Sequence, residues 1–287
     1  MRRGDAVHHS PIEVQNPGGR ARWVLYASSS PPERLVVFVH GFGGRAVKTW
    51  DDFADSGEGS AWWRASDMLF VGYHSLTEQP GETASWLRQR LVDFYPWLPP
   101  SLLVRSGVAV RPPAEDPYRE LILVGHSLGG LVLRLALLQL AREWLSAVHL
   151  GPSAGPSPAL LQTELRLFSP ASAGFQPAGS LALATSLRPL AYALLRIAPA
   201  FSALQGDSDL LTRTRAQTET MVAVHAPALD GMRAHILWAR PENVVVRDGY
   251  DTDYEAKSLV PKRDHVAVCK PSDTYQEPRT FVEMGTH

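Results

Sequence analysis

The sequence predicts an α/β fold, with a mostly parallel central sheet and helices on both faces. Three observations carry that prediction. The runs Arg34-Leu-Val-Val-Phe-Val39 and Leu121-Ile-Leu-Val124 are apolar and partly β-branched, the character of strands buried on both faces. Each runs straight into a glycine-containing turn. Helical spacing recurs between such runs, so strands and helices alternate along the chain.

The 287 residues, 45% of them hydrophobic, suit one domain, 1–287, with a core large enough to need no staples. A net charge of −1 offers no basic surface for nucleic acid. The single cysteine, Cys269, excludes an intramolecular disulfide and a cysteine-type zinc site. No His, Cys or Asp cluster has metal-ligand spacing, and no G-x-G-x-x-G follows a strand, so no metal and no cofactor is expected. The first residues lack the apolar run of a signal peptide, and no apolar stretch reaches the ~18 residues of a membrane span. A soluble cytoplasmic protein is the expectation. It is compatible with peripheral membrane contact, and the sequence names no protein partner.

In chain order, Ile12–Gln15 and Arg22–Tyr26 flank Asn16-Pro-Gly-Gly19 and read as an edge hairpin. Arg34–Val39 is a central strand. It leads into His40-Gly41-Phe42-Gly43-Gly44, a loop flexible enough to project a backbone N–H over a neighbouring group. An ordinary βα loop is the plainer reading. The absence of a following Gly-Lys-Ser/Thr argues against a phosphate loop. Asp67–Tyr73 is the next strand, with His74 a loop histidine. Thr83–Tyr95 has helical spacing, with Trp86, Leu87, Leu91 and Phe94 on one face. The Pro-rich stretch 96–117 reads as a surface insertion.

Residues 120–140 organise the chain. An apolar strand enters Gly125-His126-Ser127-Leu128-Gly129, and an apolar helix leaves it. This is strand, sharp turn, helix, with a serine at the apex: the G-x-S-x-G nucleophile elbow. Strand and helix crowd the positions two before and two after the serine, hence Gly125 and Gly129. Thr163–Phe168 and His235–Ala239 are further strands. Asp or Ser within Gly206–Leu210 caps another helix. The apolar run 181–201, broken by Pro189 and Pro199, reads either as a buried helix pair or as part of a helical cap or lid inserted at about residues 175–230.

A serine hydroxyl is a weak nucleophile at neutral pH. It needs a base in hydrogen-bond reach, and the base needs a carboxylate to orient it. With the order serine, acid, histidine, the base is expected past the last core strands, which points to His265. His225, His235 and His287 read as structural or solvated. The acid belongs in the loop after His235–Ala239. Glu242 is the first carboxylate there and Asp248 the alternative, with Asp251 and Asp253 behind them. Asp264 adjoins His265, and adjacent side chains diverge, which makes it a poor orienting partner. The backbone N–H groups of Phe42 and Leu128 would receive an oxyanion, with His40, Gly41, Gly43, Gly125, His126 and Gly129 as supporting motif positions.

These residues resemble the α/β-hydrolase superfamily across most of the chain. More narrowly they look like the lipase-like serine esterases grouped with the serine-active-site-containing and GPI-inositol-deacylase-like proteins. Val36–Gly44 with Trp50 resembles that group's oxyanion motif, Gly125–Gly130 its elbow, and Asp264-His265 with Cys269-Lys270-Pro271 its terminal histidine segment. Where members often carry Asp-x-Val-Val-Pro, this chain has Glu242-Asn-Val-Val-Val246. The resemblance implies a serine hydrolase cleaving carboxylic esters through an acyl-enzyme. Its substrates would be small-molecule or lipid esters, an apolar acyl group being suggested by run 181–201 and by Trp62, Trp63, Trp86 and Trp97. An acyltransferase or thioesterase with the same triad, or a catalytically silent hydrolase fold used for binding, is the alternative.

Overall fold

The computed structural model describes residues 9–14, 21–58, 60–105, 107–150, 158–176, 199–205, 208–254 and 257–285. Its centre is strand β3, Arg34–Val39, every residue of which is buried. Leu35, Val37 and Val39 enter one core cluster, and Val36 and Phe38 enter a second. The period of two therefore divides one apolar strand between two helix layers.

Eight strands form the main sheet, in the order β1-β2-β4-β3-β7-β8-β9-β10. Their bounds are β1 His9–Val14, β2 Trp23–Ser28, β4 Ser66–Val71, β7 Glu120–His126, β8 Glu164–Phe168, β9 Ala234–Arg240 and β10 Lys257–Pro261. β1 and β2 pair antiparallel at one edge, β2 meets β4 antiparallel, and every pairing from β4 to β10 is parallel. Parallel strands with helical crossovers bring all their C-terminal ends to one edge, where ligands bind in open α/β sheets.

One face is covered by α2, Pro80–Phe94, α3, Leu128–Leu150, and α5, Asp209–His225. α3 is apolar nearly all round because α2, α5 and the sheet enclose it. Its one buried charge, Arg134, is clamped by Asp253 at 2.6 and 3.1 Å and lies 3.8 Å over the Tyr250 ring. Ser208 caps α5, accepting the Leu211 N–H at 3.3 Å. The other face holds the short α1, Ala61–Arg64, a 3-10 segment, Lys48–Glu58, and α6, Glu277–Met284. Trp50, Phe53, Trp63 and Phe281 fill that second core.

Several expectations need correction. α2 begins at Pro80, and its buried face runs Thr83, Ala84, Leu87, Leu91 and Phe94, leaving Trp86 half-buried. Stretch 96–117 is largely surface and carries a two-strand hairpin, β5 Val104–Arg105 and β6 Val108–Ala109. It is also anchored: Arg111 is buried and grips Asp67 through two bonds of 2.8 and 2.6 Å, while Tyr118 O–H donates to the same carboxylate at 2.5 Å. β10 and α6 occupy stretches where the sequence showed no element. Of run 181–201, only Pro199–Phe201 is described, in α4, Pro199–Ala203. The rest of the run lies outside the described residues. No described helix is long and apolar enough to cross a membrane.

Candidate active site

Ser127 sits between the end of β7 and the start of α3 with φ at 53°, the left-handed region that a non-glycine residue rarely adopts. The turn over-determines that conformation. Ser127 N–H donates to Phe168 O at 3.0 Å, and its carbonyl accepts from Gly130 and Ala171 N–H at 3.0 and 3.1 Å. The crossing is too tight for side chains. A Cβ on Gly129 would lie 2.0 Å from Val39 O, and one on Gly125 would lie 2.8 Å from Gly130 Cα. These are the clashes the elbow spacing implies.

The loop after β3 passes against the serine. A Cβ on Gly41 would be 2.9 Å from Ser127 Cβ, and Gly43 has φ of 68°. His40 fixes the loop from below. Its Nδ1 lies 2.7 Å from Gly41 O, its Nε2 lies 3.4 Å from Tyr73 N, and its ring stacks on Tyr73 at 4.4 Å. A carbonyl only accepts and an N–H only donates, so Nδ1 carries the proton and His40 is neutral. Burial agrees, pushing its pKa down to about 4 against the opposing Gly41 bond. Tyr73 O–H donates to His40 O at 2.8 Å, and Gly43 N–H donates to Ser75 Oγ at 2.9 Å. Phe42 lines the cavity beside Ser127. As the first residue of α3, Leu128 has no carbonyl one turn back to accept its N–H.

His265 follows β10 and is buried. Its Nδ1 is 3.0 Å from both Glu242 carboxylate oxygens. A carboxylate accepts, so Nδ1 carries a proton, and in the neutral ring the lone pair is the one on Nε2. Nε2 is buried and has no hydrogen-bond partner among the described residues. The Glu242 side chain is fully buried, and its Oε1 accepts Val244 and Val245 N–H at 3.0 and 3.2 Å. Burial alone would raise this carboxyl. The bond to His265 and its charge, with the Ser169 hydroxyl and Val244 N–H, together hold it below the usual range.

Asp248 is elsewhere: it is bound by Arg215 at 2.6 Å and is not hydrogen-bonded to His265. Asp251 pairs with the same arginine, and Asp253 holds Arg134. Asp264 accepts Val266 and Ala267 N–H at 3.0 and 2.8 Å, shaping the loop that carries His265. His235 stacks on Tyr254 at 4.1 Å, His74 is exposed, and His287 lies outside the described residues.

Ser127, His126, His265 and Phe42 line one cavity of about 410 Å³, with Val266, Arg45, Lys48 and Lys270 around them. No group of three His, Cys, Asp or Glu residues that could hold a metal occurs among the described residues. Neither Trp62, Trp63, Trp86 nor Trp97 is among the cavity's described lining residues, so the tryptophans give no support to an apolar acyl site.

No protein-family model and no curated protein matches the sequence. Solved structures do match. The Bacillus licheniformis lipase BlEst2 in its mature form is 20% identical, over 93% of this chain and 99% of that one, with a TM-score of 0.53. The siderophore hydrolase EstB of Aspergillus fumigatus is 13% identical, over 96% and 95% of the two chains, at 0.48. An esterase of M. tuberculosis is 16% identical, over 98% and 92%, at 0.46.

The fold is that of the α/β-hydrolases.

Within the α/β-hydrolase frame, every sequence-predicted position of the serine turn, the glycine loop, the histidine and the first-choice acid falls at the C-terminal edge of the sheet. Sequence reasoning missed the positioning layer. His126 Nε2 donates to His265 O at 2.7 Å, and the two rings lie 4.9 Å apart. Burial and the charge of His265 lower the His126 pKa to about 3, so it acts as a neutral donor. Ser75 directly follows a strand and its histidine, a placement that could have flagged it. Ser169, at φ of 38° after β8, had no such signal.

Proposed function

We propose that this protein is a serine hydrolase acting on carboxylic esters. The observation that carries the reading is the His265–Glu242 bond beside Ser127 in a single cavity, with Nε2 left as the only lone pair of the imidazole. Ser127 Oγ attacks the acyl carbonyl while its proton passes to His265 Nε2. The tetrahedral oxyanion accepts the N–H groups of Phe42 and Leu128, each such donor contributing roughly 3–4 kcal/mol. The imidazolium, stabilised by Glu242, protonates the departing alkoxide, leaving an acyl-enzyme. Water then gives its proton to His265, attacks the acyl carbon and restores Ser127. The strained serine also supports the reading, since a fold used only for binding has no physical need of it. The lipase-like fold is consistent with ester substrates, though an acyltransferase shares every step up to the acyl-enzyme.

The test is labelling by a fluorophosphonate probe together with hydrolysis of 4-nitrophenyl butyrate, in the native protein and in Ser127→Ala. Both activities are expected in the native protein and neither in the variant. A folded native protein that does neither overturns the reading.

A further inference from the structure

We propose that the Ser127 cavity is built for an acyl ester that carries a negatively charged oxyanion such as phosphate. The proposal deepens the ester-hydrolase reading and rests on it for turnover, but not for binding. The described residues lining the cavity include three cations, Arg45, Lys48 and Lys270, and no carboxylate. Lys270 is compensated, its Nζ lying 3.2 Å from Asp51. Arg45 and Lys48 are exposed and enter no ion pair among the described residues, so within that set the mouth holds two positive charges without a partner, in a chain whose net charge is −1. Of the two histidines that line the cavity with them, His126 is buried, which disfavours its charged form, and His265 is bonded to the Glu242 carboxylate, so neither adds to this balance.

The backbone that carries the cations is held in place. Arg45 N–H donates to Thr49 Oγ1 at 2.8 Å, and Thr49 N–H donates to Arg45 O at 3.2 Å. Thr49 packs so closely that a Cβ on Gly44 would lie 2.7 Å from its Oγ1. The backbone of 45–49 is therefore a fixed turn directly after the loop that would receive the oxyanion. The same cavity is lined by Val266, apolar and 38% exposed, and by the buried Phe42. This apolar lining suits an acyl chain and the exposed cations suit an anion. A ligand bearing both would use both, and its charge would raise its local concentration through a low-dielectric cleft.

The first measurement uses the full-length Ser127→Ala protein, so that it needs no turnover. Calorimetry compares octyl phosphate, neutral octyl glucoside and inorganic phosphate. Octyl phosphate is expected to bind more tightly than either. Its advantage over the glucoside should fall about fivefold for each of Arg45→Ala and Lys48→Ala, the upper range for an exposed charge pair, and should shrink between low and high salt. Lys48→Glu should lower the preference further than Lys48→Ala does, and since both side chains are exposed, the fold is expected to survive. Equal binding of the two amphiphiles, or a preference indifferent to these substitutions, overturns the proposal. Inorganic phosphate binding as tightly as octyl phosphate overturns the ester half of it.

The second measurement uses the native protein and two butyrate esters with matched leaving groups, 4-hydroxybenzenesulfonate and 4-hydroxyphenyl methyl sulfone. A higher kcat/KM for the sulfonate that falls in the double variant supports the proposal. A phosphatidate with short chains, compared as free monomer and in vesicles, then separates a soluble phosphate ester from a lipid headgroup. Octyl phosphate binding without turnover of any ester overturns the hydrolase reading and leaves the anion site standing.

Discussion

Replacing Glu242 by Gln tests the geometry most directly. The carboxylate accepts from His265 Nδ1 at 3.0 Å and from Val244 and Val245 N–H at 3.0 and 3.2 Å. The amide retains one accepting oxygen. If that oxygen stays with the two backbone N–H groups, the NH2 takes the place of Oε2, 3.0 Å from Nδ1, where it opposes the Nδ1 proton and favours the tautomer with the proton on Nε2. The histidine then has no lone pair for the serine proton. Where an orienting acid is replaced by its amide, this wrong-tautomer effect costs about 10⁴ in kcat, roughly 5 kcal/mol of barrier. Folding should lose much less, about 1–3 kcal/mol for a weakened buried acceptor. Hydrolysis of 4-nitrophenyl butyrate and urea unfolding, run side by side, separate the two. The expected result is a fall of about 10³–10⁴ in kcat/KM with a cooperative, slightly weakened unfolding transition. A folded variant within tenfold of the native rate would refute the assignment of Glu242 as the orienting acid.

Three further outcomes follow from the same geometry. His126→Phe keeps the ring contact but removes the donor to His265 O, leaving a buried carbonyl unpaired. We expect kcat to fall about tenfold with KM little changed and His126→Gln to recover part of the loss, while equal rates for native and Phe proteins would rule out positioning by this bond. His40 and His126 have folded pKa values lowered to about 4 and about 3, so the unfolded chain takes up protons first as pH falls below ~6.5. Each should cost about 2 kcal/mol of stability between pH 7 and 5, giving a loss of about 4 kcal/mol in urea titrations, and stability that stays flat over that window contradicts their burial as neutral rings. Gly129→Ala places a Cβ 2.0 Å from Val39 O, and the resulting separation of α3 from β3 should destabilise by about 3 kcal/mol, seen as a lower urea midpoint; an unchanged midpoint would mean the crossing is looser than the distances say.

The parts of this site that could be read in the sequence share one property: each is enforced by local sterics. Gly125 and Gly129 declare themselves because a Cβ at either would clash with backbone, Gly125 with α3 and Gly129 with the end of β3, and the serine between them stands at the apex those glycines define. Glu242 could be placed because it is the first carboxylate after β9. Asp248 and Asp253 differ from it only in distant partners, Arg215 and Arg134, which no local pattern announces. The same blindness hid Arg111, which reads as one more charge in a proline-rich surface stretch until Asp67 is found buried beneath it. β10 was obscured by its polar approach and its proline. Among the described residues it pairs with β9 alone, at the sheet edge, where such a sequence is tolerated. His126 was visible as a motif residue, but its bond to His265 spans the fold and has no trace in spacing.

The charges of this protein are sorted by sheet edge, and the sorting bears on chemistry. Arg34 with Glu120, Arg111 with Asp67, and Arg134 with Asp253, which also accepts the N–H of Ala234 at the start of β9, all lie toward the N-terminal ends of the strands. Arg34 also pairs with Glu33, and the other two are closed, buried ion pairs with little field at a distance. At the opposite edge burial disfavours the charged forms of His40 and His126, Glu242 is bonded to His265, and Arg45 and Lys48 enter no ion pair among the described residues. An ester carbonyl placed beside Ser127 would therefore meet a positive potential from those two cations, added to the exposed N–H groups at the start of α3. That potential favours the developing oxyanion of any ester and the standing charge of an anionic one. Added salt should therefore slow turnover of a charged ester far more than that of its neutral counterpart, because the cations at the mouth are exposed and screened while the N–H donors are not.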